Sequence, residues 1–181
     1  MKTSIIWISL VMSFMFVGCN NCYYAIDSTP KEKNDSFLLG TWKSKESNRA
    51  GVTITAASSN TYNIYQFDLR RRVNKIQRDF GLDTALGFIS YINGVEFLNI
   101  ASPEKVDSNV YGFYKIISKD KEKGVLYAAS FKIDTPMSQL QSANQVRAYI
   151  SARLNSPECY SDTMKFKRCT VHSFLGFRYL K

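Results

Sequence analysis

The stretch ALGFISYINGVEFLNI (residues 85–100) sets Asn93-Gly94 between two apolar runs. A two-residue type I′ turn needs positive φ at both central positions, which Asn and Gly adopt at least cost, so these residues predict a β-hairpin. The same pattern recurs along the chain. GVTITAA sets Val52, Ile54 and Ala56 against Thr53 and Thr55, and TYNIYQF follows the turn residues Ser58, Ser59 and Asn60. VYGFYKIIS and GVLYAASFKID are split by the charged turn KDKEKG, and the second puts Val125, Tyr127, Ala129, Phe131 and Ile133 on one face. FLLGTWKS (residues 37–44) opens the series, and MKFKRC and FLGFRYLK close it. Parallel strands need a crossover of a dozen residues or more, so connections this short predict an antiparallel meander. The 11 Tyr and 12 Phe suit pleated, half-buried surfaces.

One segment breaks the alternation. Leu140, Ala143, Val146, Ile150 and Leu154 recur every three or four residues, the helix period. Ser138…Gln141 and Ser142…Gln145 both offer a capping box, and Asn155 and Pro157 stop the helix. The expected class is therefore mainly β with one helix near the C-terminus, ahead of the last strands.

The N-terminus reads differently. Lys2 precedes an apolar run from Ile5 to Val17, and roughly 13 residues at 1.5 Å each cannot span a ~30 Å hydrocarbon core. That length fits the apolar region of an export signal. The run ends Phe16-Val17-Gly18-Cys19, which resembles the lipobox of bacterial lipoproteins. The resemblance implies a diacylglyceryl group on the Cys19 sulfur, cleavage after Gly18, acylation of the new N-terminus, and so a membrane as partner. Several acyl chains are enough for stable attachment at about 0.8 kcal/mol per buried CH₂. Asn20, in place of the Asp that retains such proteins in the inner membrane of enteric bacteria, implies the outer membrane. Residues 1–18 are then a signal peptide. Residues 19–36, with Pro30, several charges and no period, are expected to act as a flexible tether. The remainder, 37–181, is about the size of one domain with its own core.

Meander, helix, then terminal strand sequence: this order resembles the lipocalin-like β-barrels. The entry LLGTWKS adds Gly40 and Trp42 in the lipocalin Gly-x-Trp spacing. The likeness implies that Trp42 plugs one barrel end beneath an Arg from the last strands, for which Arg178 in GFRYL is the match. It also implies an interior able to hold a lipid or other apolar molecule.

The most charged stretch is DLRRRVNKIQRDFG (residues 68–81). Leu69, Val73, Ile76 and Phe80 are spaced for a short amphipathic helix, and a charged strand extension with a loop is the other reading. Arg70, Arg71, Arg72, Lys75 and Arg78 form either a solvated face or a patch for an anionic partner, such as lipid headgroups. The net charge of +9 does not argue for nucleic acid outside the cytoplasm.

Catalytic signals are absent. His172 is the single histidine, which leaves no multi-His metal site, and no G-x-S-x-G, H-E-x-x-H or P-loop occurs. No cofactor is implied. Export permits disulfides, and Cys159 and Cys169 flank YSDTMKFKR, so they are expected to pair, with Cys22 as competing partner. Such a loop would stabilise by about 3 kcal/mol on the entropy account. Three functions follow. The first is a noncatalytic binding lipoprotein, the second a tethered module that supports or inhibits another envelope protein, and the third, least supported, an envelope-polymer hydrolase.

Overall fold

The computed structural model describes residues 22–46, 50–68, 85–105, 108–136 and 139–169. Eight strands follow one another in the described residues: β1 (Gly40–Ser44), β2 (Ala50–Ala56), β3 (Tyr62–Asp68), β4 (Ala85–Ile92), β5 (Val95–Lys105), β6 (Ser108–Asp120), β7 (Val125–Ser130) and β8 (Met164–Arg168). Each pairs antiparallel with the next, and β8 returns to pair with β1, so the meander closes into a barrel. Closure leaves no sheet edge exposed. The fold class expected from strand spacing is the one found.

The turns form for the expected reasons. Asn93 and Gly94 both have positive φ, 50° and 78°, and Ile92 pairs with Val95 across them. At the other end of β6, the turn ends on Gly124 at φ 59°. FLLGTWKS departs from the expected single strand. Gly40, at φ 122°, breaks the extended run, and Phe37 and Leu38 fold into a turn in which Leu38 N–H donates to Asp35 O at 3.0 Å.

Helix α1 (Ala143–Ala152) starts at the second of the two candidate caps: Ser142 is extended and its hydroxyl accepts from Gln145 N. α1 does not enter the barrel. It lies on the outer face, where Val146 and Ile150 meet Ile92, Phe97, Phe113 and Phe131 in a second core. The face of GVLYAASFKID that carries Phe131 and Ile133 is therefore an outside face, buried under the helix layer. Its alternate residues, Leu126 and Ala128, point into the barrel. No helix of the described residues is long and apolar enough to cross a membrane.

The stretch expected to act as a tether is packed from Cys22 onward. Cys22 and Tyr111 exchange both backbone hydrogen bonds, at 3.2 and 2.7 Å, beyond the point where β7 leaves β6. Cys22 and Ile26 are buried, and Asp27 pairs with Arg147 of α1 at 2.5 Å. Asn99, fully buried on β5, holds the segment down. Its Oδ1 accepts from Ile26 N at 3.0 Å, while its Nδ2 donates to Phe88 O and to Ser90 Oγ. Two apolar side chains and a satisfied buried amide outweigh the ordering entropy that composition alone suggests is unopposed.

The expected Cys159–Cys169 disulfide is not formed; Cys22, Cys159 and Cys169 are all free thiols. Tyr160 bridges Phe131 and Arg168 N donates to Gly124 O, so the chain between the two cysteines runs extended along all of β7. At ~3.3 Å per residue that is roughly 25 Å, whereas a disulfide needs Cα atoms within about 7 Å. The run FLGFRYLK lies outside the described residues.

Asn99→Ala leaves the Ile26 amide unpaired in a buried site, a cost of about 2 kcal/mol. The expected result is faster alkylation of Cys22 by iodoacetamide in the folded protein, by up to ~30-fold, with Cys159 unchanged. Equal protection of Cys22 in both proteins would show that Asn99 does not hold the segment.

Candidate functional site

Strand direction gives the barrel two unlike ends. One gathers the start of β1, the β4–β5 and β6–β7 turns and the end of β8; it is called the base here. The other, the mouth, gathers the end of β1, the junctions β3–β4 and β5–β6, and the start of β8. Register shows which residues face inward: Gly40, Trp42 and Ser44 on β1 stand level with Ile54, Val52 and Ala50 on β2. The inward series continues through Tyr62 and Ile64, Ala85, Gly87 and Ile89, then Leu98 and Ile100. It closes with Gly112, Tyr114 and Ile116, then Leu126 and Ala128, then Phe166 and Arg168.

The base is sealed. Leu38, Trp42 and Tyr62 are fully buried, and Trp42 Nε1 donates to Leu38 O at 2.8 Å. The Phe37 ring lies 5.2 Å from the indole. The guanidinium over the indole, 4.8 Å from the ring centroid, belongs to Arg168, which is the direct register partner of Trp42 across the β1–β8 seam. Its Nη2 also donates to Phe37 O. Arg178, the candidate suggested by the lipocalin pattern, lies outside the described residues. Gly40 and Trp42 stand at the base end of the barrel, on β1.

A second device at the base was not legible in the sequence. Lys119 Nζ lies 2.7 Å from Asp35 Oδ2 and 2.7 Å from Glu96 Oε1, with all three side chains largely buried. Along β6 the inward positions are 112, 114 and 116, and the alternation would send Lys119 outward. A β-bulge between Ile116 and Ser118 adds one residue, and Lys119 comes level with the inward Leu126. Burial pushes the Asp35 carboxyl up, but the Lys119 hydrogen bond, the Phe37 amide and the nearby positive charge outweigh it, and the net shift is downward. Burial likewise lowers Lys119, and its two carboxylate partners outweigh that, raising it. Burial pushes the Tyr62 phenol up to about 12, so its oxygen stays protonated while it accepts from Asp35 N at 2.6 Å. An acid whose pKa is lowered is the reverse of the raised carboxyl that a general acid needs at neutral pH.

The mouth half differs. Val52, Ala85, Ile100, Gly112, Tyr114, Met164 and Phe166 face inward by register, yet each remains partly accessible to solvent. Nearer the base, Ile54, Ile64, Ile89, Leu98 and Leu126 are buried. Val52, Ala85, Ile100, Tyr114 and Phe166 pack as partly buried side chains against the inner core. Several inward positions are small: Ser44, Ala50, Ala85, Gly112 and Ala128. Ile64 fills part of the floor, since a Cβ on Gly87 would lie 2.5 Å from its Cδ1.

No family model, curated protein or solved structure matches this chain. The reading of the site therefore rests on its own geometry. Cys19 and the basic residues Arg70, Arg71, Arg72, Lys75 and Arg78 lie outside the described residues, as does His172. Asp68 and Ala85, which bound the connection carrying those five cations, are both at the mouth. Among the described residues no group of three His, Cys, Asp or Glu side chains is placed to hold a metal ion. Sequence reasoning missed Arg168, Asp35, Glu96, Lys119 and Asn99. Only Arg168 left a local sign, as a lone inward-register cation in MKFKRC.

Two outcomes test the base. Trp42→Ala is expected to cost about 3–5 kcal/mol in urea unfolding and Arg168→Met about 1–2 kcal/mol, with the double variant falling short of the sum by about 1 kcal/mol because they share one contact. Additivity would mean that the guanidinium and the indole do not interact.

Lys119→Met leaves two carboxylates crowded without a cation, a loss of about 3 kcal/mol at pH 7. The sign follows from the shifts. Asp35, lowered from its ordinary 3.8, contributes stability above that value and loses it as pH falls through the folded-state pKa. Lys119, raised from 10.5, contributes below that value and loses it as pH rises further. The gap between wild type and variant is thus expected to be full from pH 5 to 10 and to shrink toward pH 2. A gap independent of pH would remove the ionic account.

Proposed function

We propose that this chain is a noncatalytic binding lipoprotein of the cell envelope, anchored through lipid on Cys19, whose barrel holds a lipid or other apolar molecule. The observation that carries the reading is the closed eight-stranded barrel with an apolar inward face. Mouth-side inward residues are apolar and partly accessible, while Trp42, Arg168 and the Lys119 ion cluster pack at the base. About eight strands enclose room for one small ligand, and sealing one end gives such a ligand a single route in and out. Phe16-Val17-Gly18-Cys19 supports the anchor, and Asn20 supports the outer membrane as its location. The lipocalin-like character of the domain is supported by the Gly40–Trp42 spacing and by an Arg stacked on that Trp.

A second reading has one observation in its favour. On the base side of the wall a depression of about 440 Å³ is lined by Tyr91, Val95, Glu96, Ile117 and Lys119 among others. Tyr91 and Ile117 there are exposed. An amphipathic hollow of this kind suits a partner protein in the envelope, as in a tethered support or inhibitor module.

The deciding experiment is native mass spectrometry of the protein extracted mildly from its own membranes. The binding reading expects a co-purifying apolar molecule in wild type and its loss in Gly112→Phe. A Cβ at Gly112 meets only the Tyr114 ring, at 3.6 Å, so the first atom of the new side chain fits, and its added bulk is expected to cost about 1–3 kcal/mol. An empty wild-type protein favours the partner reading. In parallel, Cys19→Ser is expected to abolish palmitate labelling and release the protein from the membrane pellet; retention with label would end the anchor reading.

A further inference from the structure

We infer that the mouth of the barrel is held against the bilayer that carries the anchor, so that the phospholipid surface itself covers it. The inference rests on the lipid-anchored binding reading above and adds an orientation and an occupant for the mouth.

The argument starts from how little chain separates lipid from wall. Cys22 is fully buried and bridged to Tyr111, and the Asn99 and Arg147 contacts pin the residues that follow it. Only Asn20 and Asn21 stand between Cys19 and Cys22. Three Cα steps reach at most ~11 Å. The lipid therefore lies within that distance of a fixed point on the barrel wall.

That point is at the mouth side. Tyr111 is three residues into β6, whose first residue, Ser108, stands at the mouth. It is level with Ala101 and, across β5, with Leu86 at the mouth end of β4. From Tyr111 to the base end of β6 at Asp120 is roughly 30 Å along the strand. A tether of ~11 Å cannot bring the base to the bilayer from there.

The surface beside that point has the chemistry of a membrane contact. Tyr23 and Tyr24, directly after the bridge, are 51% and 43% exposed, and Leu86 in the same row of the outer wall is 51% exposed. Tyrosines settle at the headgroup level, where the ring is partly desolvated and the hydroxyl stays wet. In water the exposed apolar area of all three is a cost that a bilayer would remove. With the mouth against the bilayer, an acyl chain passes between membrane and barrel interior without crossing water.

The test uses the full lipidated protein in phosphatidylcholine vesicles with or without bromine on the acyl chains. Trp42 is the one tryptophan after Cys19, and it sits in the base, so wild-type emission is expected to be insensitive to bromine. Interfacial residues lie within ~5–10 Å of the acyl boundary, so the emission added by Tyr24→Trp, and independently by Leu86→Trp, is expected to fall by about half. The emission added by Tyr91→Trp, at the base, is expected to be unchanged. Stronger or equal quenching of Tyr91→Trp, or no quenching of either mouth-side variant, overturns the orientation while leaving the anchor intact. Protein that carries no acyl group on Cys19, or that leaves the vesicles on flotation, overturns the anchor reading itself.

Discussion

The seam between β1 and β8 is short, and the rest of the barrel depends on it. Each strand has five residues, and the backbone register across the seam runs through Trp42, Lys43 and Ser44, extended at its ends by Cys169 N–H to Thr41 O and Lys45 N–H to Lys165 O, both 2.8 Å. Side chains supplement so brief a ladder. Trp42 and Arg168 are register partners across the seam, and the guanidinium rests on the indole. The contact that closes the sheet is therefore also the contact that seals its base. Phe37 and Leu38 complete it from the turn before β1, the one through its ring and its carbonyl and the other by accepting the indole N–H. Gly40 permits that turn to fold under the barrel, since its φ of 122° lies where side chains other than glycine are strained.

The barrel interior holds one buried core, from Trp42 and Tyr62 to Leu98 and Leu126. The outer face carries a second. Strands β4 to β7 are apolar on both sides. Ile92, Phe97, Phe113 and Phe131 are buried beneath α1 and the segment from Cys22 to Ile26, while Ile89, Leu98, Ile116 and Leu126 face the interior. At about 25 cal/mol per Å² of apolar surface, this outside core contributes stability beside that of the interior.

The two ends of the barrel divide the chemistry. Charge is concentrated and neutralised at the base, where Lys119 answers both Asp35 and Glu96. The mouth half presents apolar and small side chains. A carboxylate pair locked to a lysine is a structural element, and the Lys119 hydrogen bond holds the Asp35 carboxyl below its ordinary range. The part of the molecule suited to recognition is consequently the mouth, together with the exposed Tyr23, Tyr24 and Leu86 beside it.

Local regularities were legible in the sequence because they depend on neighbours in the chain. Asn93-Gly94 specified a turn through φ alone, alternation specified strands, the three-and-four spacing from Leu140 to Leu154 specified α1, and short connections specified antiparallel order. What depends on distant partners was not legible. Extended pairing along β7 carried Cys159 and Cys169 apart, one added residue at Ile117 turned Lys119 inward, and one buried amide converted a polar spacer into part of the wall. The sequence by itself determined the antiparallel meander and the helix that follows it at Ala143–Ala152. Only the tertiary structure decided which arginine covers Trp42 and which face of each strand is inside. It also decided which side chains pack together at each end, because these follow from register across closed strands rather than from period along one.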